Sequence, residues 1–109
     1  LVSAGDRLAK CLGARFPGAE WRTEVAVIGG RASGGSWAGS VDLLLLLPDG
    51  TAVVIDHKTA PVPLAGQAAA ARAHAGQLLA YREALASAGT TVRGLLVHFP
   101  LGGGIVRLG

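Results

Sequence analysis

Two acidic residues and one lysine interrupt the most hydrophobic part of this chain. Asp42 comes directly before a run of five leucines, Leu43 to Leu47, and Asp56 comes directly after the apolar segment 52–55. Lys58 follows Asp56 after one intervening residue. Burying a carboxylate among apolar side chains costs on the order of several kcal/mol unless the charge is paired or bound to a metal ion. The pattern therefore predicts a charged site built into a hydrophobic β-hairpin.

The turn between the two apolar segments sets their register. Pro48-Asp49-Gly50 is typical of a three-residue hairpin loop that ends in glycine. If residues 48–50 form this loop, Leu47 pairs with Thr51 and Asp42 lies opposite Asp56. A β-bulge would shift the register by one residue. Without a bulge, the sequence predicts two carboxylates at directly opposed strand positions.

Lys58 is expected on the same face as both acids, because side chains alternate along a strand. Two opposed carboxylates, about 5 Å apart, repel each other unless a cation lies between them. Such an oxygen-rich site suits Mg²⁺ or Mn²⁺, and the lysine is then available to hold a water beside the metal. The alternative is that the acids face solvent and Lys58 forms a surface ion pair with them, worth about 0–1 kcal/mol.

The composition excludes several kinds of protein. The 109 residues are enough for one domain, and we take 1–109 as a single domain from a longer chain because it contains no methionine. One cysteine cannot ligate a zinc ion or an iron–sulfur cluster by itself. The longest apolar run, 41–47, is too short to span a bilayer, so we expect a soluble protein without a membrane partner. The single cysteine fits a reducing compartment, and we expect the cytoplasm. The net charge of +3 is compatible with a polyanionic partner.

Apolar spacing and turn residues predict a helix, three strands, a long helix and one or two further strands. We expect the fold class α/β or α+β, in the order αβββαβ(β), with a mixed sheet that contains an antiparallel hairpin and is flanked by helices. The expected elements are a helix at 3–16, a strand at 21–28, a glycine-rich loop at 29–39, the hairpin at 40–59, a helix at 66–88 ended by Gly89, and strands at 92–99 and 105–108. The residues of the first helix that are expected to face the core are Leu8, Cys11, Leu12 and Phe16.

Two further groups of polar and aromatic residues are candidates for binding. His74, Gln77 and Tyr81 fall at i, i+3 and i+7 of the predicted long helix, so they share one stripe of its surface. Arg31 and Trp37 lie in the predicted glycine-rich loop, where the arginine can contact a phosphate and the tryptophan can stack on a base. The alternative for both groups is an ordinary structural or surface role.

Four sequence elements, taken in order, resemble one known family. They are Glu24, Gly39-Ser-Val-Asp42, Asp56-His-Lys58-Thr59 and Gln77-Leu-Leu-Ala-Tyr81. Over residues 20–99 they resemble the PD-(D/E)XK nuclease superfamily, and specifically the RecB-like, AddA-type nuclease domain of UvrD-family helicase–nucleases. The resemblance implies a restriction-endonuclease-like core and metal-assisted hydrolysis of DNA phosphodiester bonds.

The resemblance also implies a role for each matched residue. Asp42 and Asp56 are metal ligands, together with the backbone carbonyl of His57, and the implied cofactor is Mg²⁺ or Mn²⁺, with no iron–sulfur cluster. Lys58 positions or activates the attacking water, and Glu24 supports the metal site. The helical pair Gln77 and Tyr81 borders the site and contacts the substrate backbone.

This chain departs from the family pattern at two histidine positions. Many members carry a histidine on an upstream helix, whereas no histidine precedes His57 here. That residue lies outside the fragment, or the site works without it. The residue between the motif acid and the lysine is often tyrosine, and here it is His57, whose side chain is expected to point away from the metal.

The first functional hypothesis is a Mg²⁺-dependent exonuclease domain of a helicase–nuclease that processes double-strand breaks. Its expected partners are DNA, the helicase domains of the same chain and a second helicase–nuclease subunit. The alternative is a catalytically inactive nuclease-like module that binds DNA or a partner subunit, although the intact Asp42, Asp56 and Lys58 argue against it. A standalone resolvase or restriction-like enzyme is a third possibility.

Overall fold

The computed structural model describes residues 4–59, 61–101 and 103–109, which form one five-stranded sheet and three helices. The elements are α1 (Ala4–Arg15), β1 (Glu20–Gly30), β2 (Ser36–Leu46), β3 (Ala52–His57), α2 (Leu64–Ala73), α3 (Ala75–Ser87), β4 (Val92–Phe99) and β5 (Gly104–Arg107). No helix among the described residues is long and apolar enough to cross a membrane.

The sheet has the order β1-β2-β3-β4-β5 and is mixed. Neighbouring strands are antiparallel except β3 and β4, which are parallel because α2 and α3 connect them across the sheet. The predicted class, a mixed α+β sheet with an antiparallel hairpin and flanking helices, is confirmed, and the architecture is consistent with a restriction-endonuclease-like fold.

The hairpin between β2 and β3 has the predicted register. Leu43 pairs with Ile55, and the loop closes with a hydrogen bond of 2.8 Å from the backbone nitrogen of Leu47 to the carbonyl oxygen of Thr51. Gly50 has a φ of 87°, which a residue with a side chain rarely adopts. Continuing this register by one residue places Asp42 opposite Asp56.

The predicted glycine-rich loop at 29–39 is wrong over most of its length. β1 continues to Gly30 and β2 begins at Ser36, so only residues 31–35 connect them. The reason is packing, because Gly29 lies opposite Trp37 and the indole ring covers its Cα. A Cβ on Gly29 would overlap the Trp37 ring, so glycine is required within a strand here.

The predicted long helix at 66–88 consists of two helices that meet at His74. The backbone of His74 has φ −101° and ψ 3°, outside the helical range, and its N–H bonds to the carbonyl of Ala71 at 3.0 Å. α2 packs against β5, whereas α3 packs against β1 and β4, so the two segments follow different parts of the sheet. The end at Gly89 is as predicted, since this residue has a φ of 97° and the N–H of Thr90 bonds to the carbonyl of Leu85 at 2.8 Å.

The hydrophobic core has one layer on each face of the sheet. α3 covers the layer that contains Val41, Leu44 and Tyr81, and α1 covers the layer that contains Leu43 and Leu45. The prediction that α1 packs through four residues is confirmed for Leu8, Leu12 and Phe16, but Cys11 is exposed. Residue 3, where this helix was predicted to begin, lies outside the described residues.

Candidate active site

Asp42 lies at the point where the pairing of β2 with β3 ends. Its carboxylate oxygen Oδ2 accepts a hydrogen bond of 2.8 Å from the backbone N–H of His57. The carboxylate is thereby attached to the end of the neighbouring strand, beside Asp56. This hydrogen bond to the backbone of His57 therefore holds the Asp42 carboxylate close to Asp56, the preceding residue of β3.

Asp56 is buried, and its charge is only partly balanced. The ammonium nitrogen Nζ of Lys58 lies 2.8 Å from Oδ2 of Asp56, so the two residues form an ion pair. The same Oδ2 atom is buried and accepts no well-aligned hydrogen bond from any described residue, so the ammonium approaches it off the hydrogen-bonding direction. Burial, and then the neighbouring Asp42, raise the pKa of Asp56, and Lys58 only partly offsets this.

These features fit a hard divalent cation between the acids. An additional positive charge would relieve the repulsion between Asp42 and Asp56, which the Lys58 ammonium group only partly offsets. The described residues contain no group of three or more His, Cys, Asp and Glu side chains that could bind a metal. Mg²⁺ needs only one or two carboxylates, with waters and substrate phosphate as its other ligands, so the donor set suits this ion.

Glu24 lies opposite Asp42 in the register of β1 and β2. The flanking pairs are Thr23 with Leu43 and Val25 with Val41. Glu24 is exposed, and no described residue forms a hydrogen bond or an ion pair with its carboxylate. Its φ of 51° is unusual for a residue with a side chain, and no feature of the sequence signals it.

The alternation of side chains is interrupted where Glu24 and Asp42 face each other. Val41 packs in the layer under α3, but Leu43 packs in the layer under α1, although residues two apart in a regular strand share a face. In a regular strand the side chain of Asp42 would stand perpendicular to the sheet. The interruption allows its carboxylate to reach the end of β3 instead.

Gln77 and Tyr81 are in contact with each other, as their spacing predicts. The side-chain nitrogen Nε2 of Gln77 donates a hydrogen bond of 2.9 Å to the hydroxyl of Tyr81. Tyr81 is buried against Gly39, where a Cβ would lie 2.9 Å from its ring, and its ring centroid is 5.9 Å from that of Trp37. Neither Gln77 nor Tyr81 hydrogen bonds to an acid of the site. His74, which was predicted to share this stripe on one helix, lies instead at the break between α2 and α3.

The side chain of His57 lies away from the acids, against His98. Their Nδ1 atoms are 3.1 Å apart, and the rings meet edge to face with centroids 5.1 Å apart. Burial, followed by the neighbouring His57 and Arg7, lowers the pKa of His98. The sequence did not reveal this pair, because the parallel register that aligns His57 with His98 depends on how the α2–α3 crossover packs.

Lys58 thus pairs with the buried Asp56 at the end of the β2–β3 hairpin, where Asp42 accepts the hydrogen bond from His57. Comparison with curated proteins gives no significant match. A family model, that of the PD-(D/E)XK nuclease superfamily, matches residues 5–108, nearly the whole chain. Because the match covers far more than half of the chain, we conclude that the chain belongs to the PD-(D/E)XK nuclease superfamily.

Proposed function

We propose that this chain is a Mg²⁺-dependent deoxyribonuclease domain that hydrolyses DNA phosphodiester bonds at Asp42, Asp56 and Lys58. The observation that carries the proposal is the pairing of two carboxylates that have too little positive charge near them. Asp56 is buried and paired through Oδ2 with Lys58, and a second acid, Asp42, is held beside it. A structural ion pair does not need a second acid at this position, whereas a cation site does.

Each residue of the cluster has a proposed task. Asp42 and Asp56, with the backbone carbonyl of His57, hold the ion. When bound, Mg²⁺ supplies positive charge for the phosphate oxygens and makes water more acidic. Lys58 orients the attacking water, because its ammonium group lies beside Asp56 and has three donors that can rotate. Glu24 lies on β1 opposite Asp42 of β2, and it supports the site from its exposed side.

Gln77 and Tyr81 are proposed to contact the substrate backbone. The Tyr81 hydroxyl lies over Gly39, three residues before Asp42 along β2, and Gln77 is hydrogen bonded to it. Gln77 is exposed, so its amide has further hydrogen-bonding capacity towards solvent. A strand whose phosphate lies at the two acids would pass this pair if it runs along β2.

We further propose that the domain acts as an exonuclease in a cytoplasmic helicase–nuclease that processes double-strand breaks. Its partners would be DNA, the helicase domains of the same chain and a second helicase–nuclease subunit. The support is the resemblance of the four matched elements to RecB-like nuclease domains. Linear and circular single-stranded DNA of equal length distinguish exonuclease from endonuclease activity, because an exonuclease needs a free DNA end.

The experiment that tests the proposal combines metal binding with cleavage. Mg²⁺ and Mn²⁺ are titrated calorimetrically into the wild-type chain and into Asp56→Ala, and end-labelled DNA is incubated with both. We expect saturable binding and metal-dependent cleavage in the wild type only. Equal binding of metal by both proteins, or none, contradicts the two-acid site. DNA binding without cleavage would support the alternative, an inactive nuclease-like module.

A further inference from the structure

A second recess, here called the hairpin pocket, lies between the β1–β2 hairpin and α3. It has a volume of about 390 Å³ and is lined by residues that include Gly29, Trp37, Ala80, Glu83, Ala84 and Ser87. None of these residues belongs to the Asp42, Asp56 and Lys58 cluster. The volume is at the lower end of the range that small-molecule sites occupy.

The walls of the hairpin pocket are flat and partly aromatic. The Trp37 ring lies across Gly29 and is tilted by 39° against the ring of Tyr81. Ala80 and Ala84 present only methyl groups from α3 to the pocket, while Tyr81 of the same helix packs beside the indole and leaves Trp37 partly exposed. A planar aromatic group is the kind of ligand that such a surface favours.

Three polar groups of the hairpin pocket have no hydrogen-bond partner among the described residues. No described residue hydrogen bonds to the indole N–H of Trp37, the hydroxyl of Ser87 or the carboxylate of Glu83, and Glu83 forms no ion pair. The pocket therefore offers an N–H donor and a carboxylate acceptor together. A negative charge next to DNA is unfavourable unless it accepts hydrogen bonds from a base, as acidic side chains do from exocyclic amino groups.

The hairpin pocket is in line with the two acids along one strand. Asp42 is five positions after Trp37 along β2, which is about 17 Å at the usual rise of a strand. Gly39 lies between them and carries the Tyr81 ring, to which Gln77 is hydrogen bonded. The two acids, the Gly39–Tyr81 contact and the hairpin pocket therefore form a continuous row along β2. A strand cleaved at the acids can reach the pocket with a base a few nucleotides away.

We propose that the hairpin pocket binds one unpaired nucleobase of the cleaved strand, with Trp37 against its face and Glu83 accepting from its exocyclic amino group. This inference rests on the proposed nuclease function. Guanine is the preferred base, because its ring N–H and its amino group both donate on the same edge and one carboxylate can accept both. Thymine is the poorest, because it has no exocyclic amino group.

The test uses nucleosides in EDTA, so that neither cleavage nor phosphate binding contributes. The chain has two tryptophans, Trp21 and Trp37, which give two indole N–H signals in a nitrogen-15 NMR spectrum, and Trp37→Phe assigns them. Titration with deoxyguanosine should shift the Trp37 signal and leave the Trp21 signal in place, and thymidine should bind about tenfold more weakly. Equal shifts of both signals, or no shift, would overturn the proposal.

Two matched variants separate the role of Glu83 from general charge effects. Glu83→Ala should weaken deoxyguanosine binding about tenfold and leave thymidine binding unchanged. Glu20→Ala removes an exposed acid that is paired with Arg22 at the other end of β1, and it should change neither. If arginine amide shifts the Trp37 signal and nucleosides do not, the pocket is a docking site for a basic peptide and the proposal is wrong.

Failure of the base-site proposal can be distinguished from failure of the proposed nuclease function. Metal-dependent cleavage by a wild-type chain whose Trp37 signal does not respond to nucleosides would refute the base site alone. A selective response to deoxyguanosine in a chain that does not cleave DNA would refute the nuclease proposal and leave the base site standing.

Discussion

The backbone N–H of His57 donates a hydrogen bond of 2.8 Å to Oδ2 of Asp42, across the end of the β2–β3 hairpin. A carboxylate that is part of a hydrogen bond to the backbone is oriented before any ligand arrives. One of its oxygens, Oδ2, is partly used by the protein. Asp42 is therefore both a structural contact and a candidate ligand, and the two roles can be separated by substitution.

Asp42→Asn and Asp42→Ala should differ in stability and agree in metal binding. An asparagine carbonyl can still accept from the His57 N–H, so Asp42→Asn keeps the free energy of unfolding within about 0.5 kcal/mol of the wild type. Asp42→Ala leaves that N–H without its partner and should cost about 1–2 kcal/mol. Both variants should lose Mg²⁺ binding in calorimetry. If Asp42→Asn binds Mg²⁺ like the wild type, Asp42 is not a ligand.

Asp56→Asn should change how stability depends on pH in the absence of divalent cations. The pKa of Asp56 is raised above its ordinary value of 3.8, first by burial, so between these two values the folded chain binds more protons than the unfolded chain. The free energy of unfolding therefore falls as the pH rises through this window and stays lower above it. The variant has no such fall. We expect it to be more stable than the wild type at neutral pH, in chemical denaturation with EDTA.

Asp49→Asn is the control with the opposite sign. Hydrogen bonds from Thr51 lower the pKa of the exposed Asp49, so its contribution to stability is present at neutral pH and is lost as the pH falls. This variant should be less stable than the wild type at neutral pH and indistinguishable from it in strong acid. If Asp56→Asn changes the pH dependence of the free energy of unfolding in the same direction as Asp49→Asn, the proposal that Asp42 and Asp56 lack sufficient positive charge is wrong.

Lys58→Met should separate metal binding from cleavage. The Lys58 ammonium group lies 2.8 Å from Oδ2 of Asp56, where it competes with any added cation. Its removal should leave Mg²⁺ affinity unchanged or higher, while cleavage of labelled DNA falls by about 10²–10⁴-fold, the usual effect of losing a group that moves or orients a proton. Lys10→Met, the other lysine of the chain, should change neither. Parallel loss of binding and cleavage in Lys58→Met would assign Lys58 to the structure of the site instead.

Gly39→Ala should destabilise the contact between β2 and α3. The added Cβ would lie 2.9 Å from the ring of the buried Tyr81, which must move, and we expect a cost of about 1–3 kcal/mol. Gly30→Ala, in the neighbouring strand, has no atom within 4 Å of the added Cβ and should be nearly neutral. The measurement is the free energy of unfolding of both variants. Similar values for the two would mean that Tyr81 is not held against Gly39.

The sequence was sufficient to predict the parts of this site that depend on local patterns. The Pro48-Asp49-Gly50 turn fixes the loop length, and the loop length fixes which residues of β2 and β3 face each other. The approach of Lys58 to Asp56 follows from simple alternation. Gln77 and Tyr81 are four residues apart on a helix, so their contact is also local.

The parts that could not be predicted depend on contacts between distant residues. The glycines before Trp37 are typical of a loop, but the indole ring requires one of them within a strand. Alanine-rich sequence gives no reason to end a helix at His74, and the break arises because α2 and α3 follow different strands. Cys11 is as apolar as its neighbours in α1, yet it lies outside the stripe that Leu8 and Leu12 form, and it is exposed.

Glu24 combines a backbone conformation and a side chain whose effects can be measured separately. Its φ of 51° costs about 1–2 kcal/mol in a residue with a Cβ, so Glu24→Gly should stabilise the chain by about 1 kcal/mol after the greater freedom of glycine in the unfolded state is taken into account. Ala26→Gly, at an exposed position of the same strand without a positive φ, should instead destabilise it. Glu24→Gln keeps the size of the side chain and removes its charge. If Glu24 supports the cation site opposite Asp42, Glu24→Gln should weaken Mg²⁺ binding in calorimetry, and an unchanged affinity would leave Glu24 with a purely structural role.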